Sequence, residues 1–418
     1  MSLLLRQVIL DGKMVDILVE NGLISRISPV LEDVVADQVI EGGGKAVVPG
    51  LYNGHTHAAM TLFRGYADDM ELLPWLTTKI WPLEEKLTEE LVYHGARLAC
   101  LEMIKSGTVF FNDMYWHFHG TAKAVEEMGL RAALSAVIID LDDPQRLKEQ
   151  IAANRDLFQA SRDYSDRLQF ALGPHAIYTV SRAGLEWVRD FSAENDLLIH
   201  LHLSETEQEV RDCLEKNGLR PVEYLADIGL LNEKLVAAHA VWLDAGEIAS
   251  LAKNRVKVIN NPISNMKLAV GKSFAYRHFV EPGVLVGLGT DGCASNNNLD
   301  MFETMKFSAL LQKFSVNDPT VQPAAEAWRM ATVDGAKIFG LEGGIIAEGR
   351  PADLLLIDTD RPEMVPGHNL ISDLVYSASG AVVDTTIVAG KVLMHKRQVD
   401  GEEEIIAQAK DAARKLLS

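Results

Sequence analysis

Long apolar runs are missing from this 418-residue chain, and none approaches the roughly 20 residues that a bilayer-spanning helix needs. Cysteine is scarce. Cys100, Cys213 and Cys293 are odd in number and form no CxxC pair, which excludes a disulfide framework and predicts a reducing, cytoplasmic setting. Positive charge is outweighed: 40 Lys and Arg face 59 Asp and Glu, a net charge of −19. A phosphate backbone would be repelled, so a nucleic-acid polymer is not an expected partner. The opening stretch MSLLLRQVILDGKMVDILVENG has neither a long apolar core nor a small-residue cleavage site, and no signal peptide is predicted there. Low-complexity tracts and close repeats are also lacking. Histidine is rare as well, with only 12 in the chain, so where those 12 fall carries information.

Two textures alternate along the chain. Residues 1–48 read as short strands cut by Gly12, Asn21-Gly22 and Gly42-Gly43-Gly44, and similar strands return in 352–360 and 384–399. Neither end holds enough strands for a stable sheet, so 1–48 and 340–418 are expected to pair into one β-sandwich module ending in a C-terminal helix. Between them, over 49–339, short apolar runs alternate with helical periodicity, the mark of βα units around a parallel sheet. Eight candidate strands, 46–52, 108–112, 132–138, 168–172, 197–203, 235–239, 256–260 and 284–289, predict an α/β fold of the (β/α)₈ TIM-barrel type. Helices are expected between them, for example over 89–105, 145–159, 181–194 and 300–313.

A parallel barrel presents its chemistry at the C-terminal ends of its strands. The first candidate strand runs into His55-Thr56-His57, and residues two apart on extended chain face the same way. The fourth leads to His175, the fifth carries His200 and His202 with Glu205 just beyond, the sixth ends at His239, and the eighth leads to Asp291. Imidazole and carboxylate donors suit zinc, and a catalytic zinc site keeps one position open for water. His55, His57, His202 and Asp291 are the best four ligands, although His200 faces the same side as His202 and spacing alone does not separate them. Glu205 is placed as a general base, and His239 to orient the water or polarise the substrate.

Blander readings compete. A lone His-x-His is weak, and a single strand-end histidine is more often structural than metal-bound. Gly287-x-Gly289-x-x-Gly292 matches a dinucleotide fingerprint formally, but a polar run, Cys293 to Asn298, follows where an apolar helix should begin. Gly271-Lys272-Ser273 lacks the first glycine of a phosphate loop, since position 266 is Met. Trp75, Trp81 and Trp116 are packing residues by default, and Glu84-Glu85 solvated surface. The metal reading survives because all the strand endings support it together.

The segments Pro49-Gly50-Leu51-Tyr52-Asn53-Gly54-His55-Thr56-His57, His202-Leu203-Ser204-Glu205-Thr206, Ala238-His239 and Leu288-Gly289-Thr290-Asp291-Gly292 resemble the amidohydrolase superfamily. Within it the chain is similar to the 5′-methylthioadenosine/S-adenosylhomocysteine deaminase group, which is related to chlorotriazine hydrolases. The resemblance selects His202 as the fifth-strand ligand and implies one metal per chain, since His175 stands where two-metal relatives carry a carboxylated lysine. It implies a zinc-dependent aminohydrolase acting on an adenosine derivative and releasing ammonia; iron or manganese would also suit such donors. By the same resemblance Glu205 shuttles a proton, His239 steadies the attacking oxygen, and Asp291 helps to protonate the departing amine. Glu84 would receive ribose hydroxyls, and His175 would contact the ribose or its 5′ substituent.

Two departures stand out. Relatives often have histidine where this chain has Asn260, which would remove an imidazole near the site. An arginine that grips an amino-acid carboxylate in some relatives corresponds to Ala136, leaving Arg146 as a second candidate contact. The competing functions are another ring hydrolase, of guanine, pterin or triazine type, and a catalytically dead structural relative. Glu84 is useful for a ribose and pointless for a bare heterocycle, and dead relatives normally lose ligands. A small purine-like molecule is the expected partner, with no membrane; a homo-oligomer stays open.

Overall fold

Residues 2–417 are described by a computed structural model. Eight parallel strands, each hydrogen-bonded to the next in chain order, form one sheet: Leu51–Thr56, Thr108–Tyr115, Arg131–Ile138, Leu168–Pro174, Leu198–Leu203, Leu235–His239, Lys257–Asn260 and Val286–Leu288. Every residue of Thr108–Tyr115 is buried, as expected of a strand covered on one face by helices and on the other by the barrel core. The intervening helices start where the sequence supplies a side-chain acceptor. Thr88 caps Glu89–Lys105, Asp143 caps Pro144–Ala160, Ser181 caps Arg182–Asn195, and Thr206 caps Glu207–Asn217.

Side chains join the first and eighth strands across the closing seam. The Asn53 carboxamide donates to Thr290 Oγ1 at 2.7 Å and accepts from the Thr290 N–H at 3.0 Å, while the Asp291 N–H donates to the His55 carbonyl at 2.9 Å. The seam fixes the spacing of the two strand ends that carry His55, His57 and Asp291. It also admits no side chain at Gly289, where a β-carbon would lie 2.5 Å from Asn261 Oδ1 and 2.8 Å from the His55 nitrogen. Gly289→Ala is therefore expected to destabilise the fold by about 1–3 kcal/mol, the usual cost of overpacking. Equilibrium urea unfolding reads this directly, and an unchanged midpoint would contradict the packing.

The two chain ends meet in a second, mixed eight-stranded sheet. Leu354–Ile357 lies antiparallel between Ala46–Pro49 and Val383–Val388, with Leu355 opposite Val48. The expected strand over 46–52 is thus two strands in two different sheets, divided at Pro49-Gly50. Val47 and Val48 pair with the C-terminal segment, and Gly50 permits a close turn against Val109, whose methyl a β-carbon would meet at 2.3 Å. Glu402–Leu417 forms the closing helix, acids first and bases last. Among the described residues, no helix is long and apolar enough to cross a membrane.

Candidate metal and active site

All the strand-end residues singled out above gather at one mouth of the barrel. His55 Nε2 and His57 Nε2 each lie 3.3 Å from Asp291 Oδ1, and His57 Nε2 lies 3.3 Å from His202 Nε2. Three buried strand ends leave in the left-handed region: Ser204 at φ 49°, His239 at 70° and Asp291 at 66°. Each such residue costs of order 1 kcal/mol or more, a strain the surrounding structure must hold.

The other ring nitrogens are committed elsewhere. His57 Nδ1 lies 2.7 Å from the Met114 carbonyl, His202 Nδ1 lies 2.7 Å from the His175 carbonyl, and His55 Nδ1 lies 2.7 Å from His200 Nε2. A neutral imidazole carries one proton. With Nδ1–H donated to a carbonyl, the Nε2 of His57 and of His202 must present a lone pair, and these lone pairs point toward one another and toward a carboxylate. His55 Nε2 is buried and makes no hydrogen bond. Such a cluster of converging lone pairs could hold a cation. Tetrahedral zinc with bonds of roughly 2.0–2.1 Å would set its ligand atoms about 3.3–3.4 Å apart, matching the observed spacings. Burial moves the His55 pKa down to about 4, opposed by Asp291, so its imidazole is held neutral as a metal ligand requires.

His239 stands beside this cluster. Its Nδ1 donates to Asn265 Oδ1 at 2.8 Å, and its Nε2 lies 3.7 Å from Asp291 Oδ2. Glu205 is buried, with Oε1 3.7 Å from His239 Nδ1. Burial raises its pKa and His239 opposes the rise. Glu209, one helical turn later, accepts the Ser204 and Glu205 N–H groups at 2.8 and 2.9 Å and so fixes the backbone from which Glu205 projects. Asp113 does the same for the His57 loop, accepting from Thr56 Oγ1 and the Ala58 N–H; burial moves its pKa up to about 6.

A cavity opens above the cluster. Glu84 reaches it at the end of a helical run, Leu72–Trp75, Leu76–Ile80 and Trp81–Glu84, whose middle turn is a π-helix. Burial raises the Glu84 pKa, the Tyr115 hydroxyl opposes this, and Trp116 Nε1–H donates to the carboxylate at 3.3 Å. His175 also lines it, with Nδ1 2.9 Å from Thr179 Oγ1 and its pKa held at about 3 chiefly by desolvation. Trp75, Trp81 and Trp116, which the sequence reads as packing residues, all line this cavity.

Two expectations change. Asn260 does not line the cavity; its carboxamide donates to Ser308 Oγ at 3.2 Å, on the helix outside the barrel, so the histidine it replaces leaves no gap in the cavity wall. Ala136 does not line it either. Strand alternation turns Val137 and Ile139 inward instead, so the third strand still contributes no charge. Asn53, Asn265, Glu209 and Asp113 were not singled out from sequence. Glu209 alone carried a usable signal, lying four residues beyond Glu205 on a capped helix.

The Amidohydrolase family pattern matches residues 46–393. The chain is 52% identical over 383 residues to a 5′-deoxyadenosine deaminase of Methanoregula boonei, covering 91% of this chain and 87% of that one. It is 50% identical over 390 residues to 5-methylthioadenosine/S-adenosylhomocysteine deaminase 1 of Archaeoglobus fulgidus, covering 92% and 91%. Among solved structures, an adenosine deaminase from Xanthomonas campestris with bound zinc superposes with a TM-score of 0.92 at 34% identity, over 99% of this chain and 98% of that one. Sequence pattern, barrel and strand-end cluster agree, and the chain belongs to the amidohydrolase family.

Proposed function

We propose that this protein is a zinc-dependent aminohydrolase of 5′-substituted adenosines, with one zinc per chain held by His55, His57, His202 and Asp291. The observation that carries the reading is the convergence of three imidazoles and a carboxylate beneath a cavity walled by Glu84 and His175. When bound, the cation supplies Lewis acidity that draws the pKa of a coordinated water toward ~7. Glu205 takes up the proton of the attacking water and returns it to the ring nitrogen beside the carbon that bears the amino group. Against desolvation, Glu205 and Asp291 raise the His239 pKa, so with Nδ1–H held by Asn265 its charged ring carries a second proton on Nε2 and donates it as a hydrogen bond to the attacking oxygen. Asp291 takes the second proton of the attacking oxygen and passes it to the departing amine, so that the ring carbonyl forms as the carbon–nitrogen bond breaks and ammonia leaves. Glu84 accepts hydrogen bonds from ribose hydroxyls, and His175 meets the 5′ side of the sugar. The three cysteines, all buried and unbridged, support a cytoplasmic location. The solvent-facing Phe307, Leu310 and Phe314 on one helix support a homo-oligomer.

The cavity wall, among the described residues, includes no lysine or arginine. A groove of about 580 Å³ continues from it past Trp81, Glu84, Trp116 and Ile139, and its one guanidinium is that of Arg146. An amino-acid carboxylate on the 5′ side therefore lacks a second cationic anchor, whereas a methyl or methylthio group loses nothing. Hydrogen bonds to charged groups contribute roughly 1.5–3 kcal/mol net, equivalent to about tenfold to a hundredfold in kcat/KM. Ammonia release from 5′-deoxyadenosine and methylthioadenosine is accordingly expected to exceed that from S-adenosylhomocysteine by that factor. Guanine and triazines serve as ribose-free controls. A preference for S-adenosylhomocysteine would refute the argument from the uncharged wall, and activity only on ribose-free rings would overturn the nucleoside reading.

A further inference from the structure

Behind the proposed ligand His55 stands a histidine to which nothing above gives a task. His200, two residues before His202 on the fifth strand, is fully buried, and its Nε2 lies 2.7 Å from His55 Nδ1. A nitrogen–nitrogen contact of that length holds one proton, leaving two arrangements. In one, His200 Nε2–H donates to His55 Nδ1; the neutral His55 then carries its proton on Nε2, directed at Asp291 Oδ1 3.3 Å away, and has no lone pair for a cation. In the other, His55 Nδ1–H donates to His200 Nε2, His200 carries its own proton on Nδ1, and His55 Nε2 is a free donor atom. His57 and His202 need no such partner, because backbone carbonyls can only accept and so settle their tautomers. His55 is the one proposed ligand whose tautomer is set by another side chain.

We propose that His200 is a positioning residue for the metal centre, accepting the His55 Nδ1 proton so that His55 Nε2 is free to ligate. Without an acceptor at this place, the His55 Nδ1–H would be buried and unpaired, while the opposite tautomer would still find Asp291. The non-ligating form gains, and metal affinity falls. The proposal rests on the metal centre described above but not on the identity of the substrate.

The test measures zinc affinity by competition with a chromogenic chelator, without turnover. A lack of deaminase activity on any nucleoside therefore leaves its result untouched. Glutamine and asparagine are the informative pair. The Gln amide reaches the position of the imidazole Nε2, whereas the Asn amide stops near Nδ1. Outer-shell partners of ligating histidines are typically worth 10–100-fold in metal affinity, so His200→Asn and His200→Leu are expected to weaken zinc binding by about that factor. His200→Gln should stay within roughly threefold of the parent on the same scale. A cobalt-loaded sample gives a second reading: the ligand-field spectrum of His200→Gln should match the parent, and that of His200→Asn should shift or fade. Because both amide variants bury one polar group of similar kind, unequal zinc affinity between them at equal thermal stability separates tautomer control from packing. Equal affinity in parent, Gln and Asn proteins would overturn the proposal. So would a Gln protein as weak as the Asn protein.

Discussion

Glu205→Gln is expected to lose at least ~10²-fold in kcat while keeping its metal, since positioned general acid–base groups typically contribute 10²–10⁴-fold. The two side chains have nearly the same shape, and Glu209 holds the Ser204 and Glu205 N–H groups whichever side chain projects from position 205. What the amide cannot do is accept a proton. The carboxylate is suited to that task by its surroundings: burial raises its pKa while His239, 3.7 Å away, limits the rise. A carboxylate whose proton affinity is raised in this way takes up a proton more readily than a free one, as an efficient acid–base catalyst should. Two decades in rate equal about 2.7 kcal/mol of transition-state stabilisation, well above what a surface change would produce. The diagnostic combination is full metal content, an unchanged melting temperature and a collapsed kcat. Near-normal turnover would end the assignment of Glu205 as proton shuttle.

How much of this was legible from the residues depends on the distance over which each part is encoded. His55 and His57 share a face because alternate residues of a strand do, and the helix starts were written in Thr88, Asp143, Ser181 and Thr206; both signals lie within a few positions. The features that position the donors span longer intervals. Two of the proposed ligand histidines are oriented by the carbonyls of Met114 and His175, and a carbonyl has no sequence signature because every residue has one. Asn265 lies 26 residues from His239, and Asn53 lies 237 from Thr290. No periodicity connects such pairs. The strand expected over 46–52 failed at Pro49-Gly50 because its first half is completed by Leu354–Ile357, from the other end of the chain. Ala136 shows how sharply register matters. A matching position one residue out along a strand lies on the opposite face, so Val137 rather than Ala136 meets the cavity. The tryptophans were misjudged for a different reason: an aromatic packed against protein and one packed beside a ligand cavity look identical in sequence.

His57→Ala is expected to remove most of the metal and with it the activity. His57 Nε2 lies 3.3 Å from both Asp291 Oδ1 and His202 Nε2, so it borders the same space as each of them, and His239, grouped with His55 and His202, is the imidazole left that could take its place. His239 is the nearest alternative, but its Nε2 lies 3.7 Å from the other Asp291 oxygen, and Asn265 fixes its ring. Losing a ligand should cost more than the ~10–100-fold typical of an outer-shell partner, so dialysis against a mild chelator should strip the variant and spare the parent. The parent is expected to retain about one divalent ion per chain, the count for a single four-ligand site with an open position. Stability supplies an independent reading. A ligand that binds only the folded state stabilises it by about 2.7 kcal/mol at a concentration a hundred times its Kd, so added zinc should raise the melting temperature of the metal-free parent. The same zinc concentration should move the metal-free His57→Ala protein much less, because its Kd is higher and the ratio of concentration to Kd falls accordingly. Asp113 keeps its place in that variant, since its partners are the Thr56 hydroxyl and the Ala58 N–H, so the comparison reports on the lost imidazole and not on a collapsed loop. Metal content and a zinc-induced stability gain equal to those of the parent would remove His57 from the ligand set.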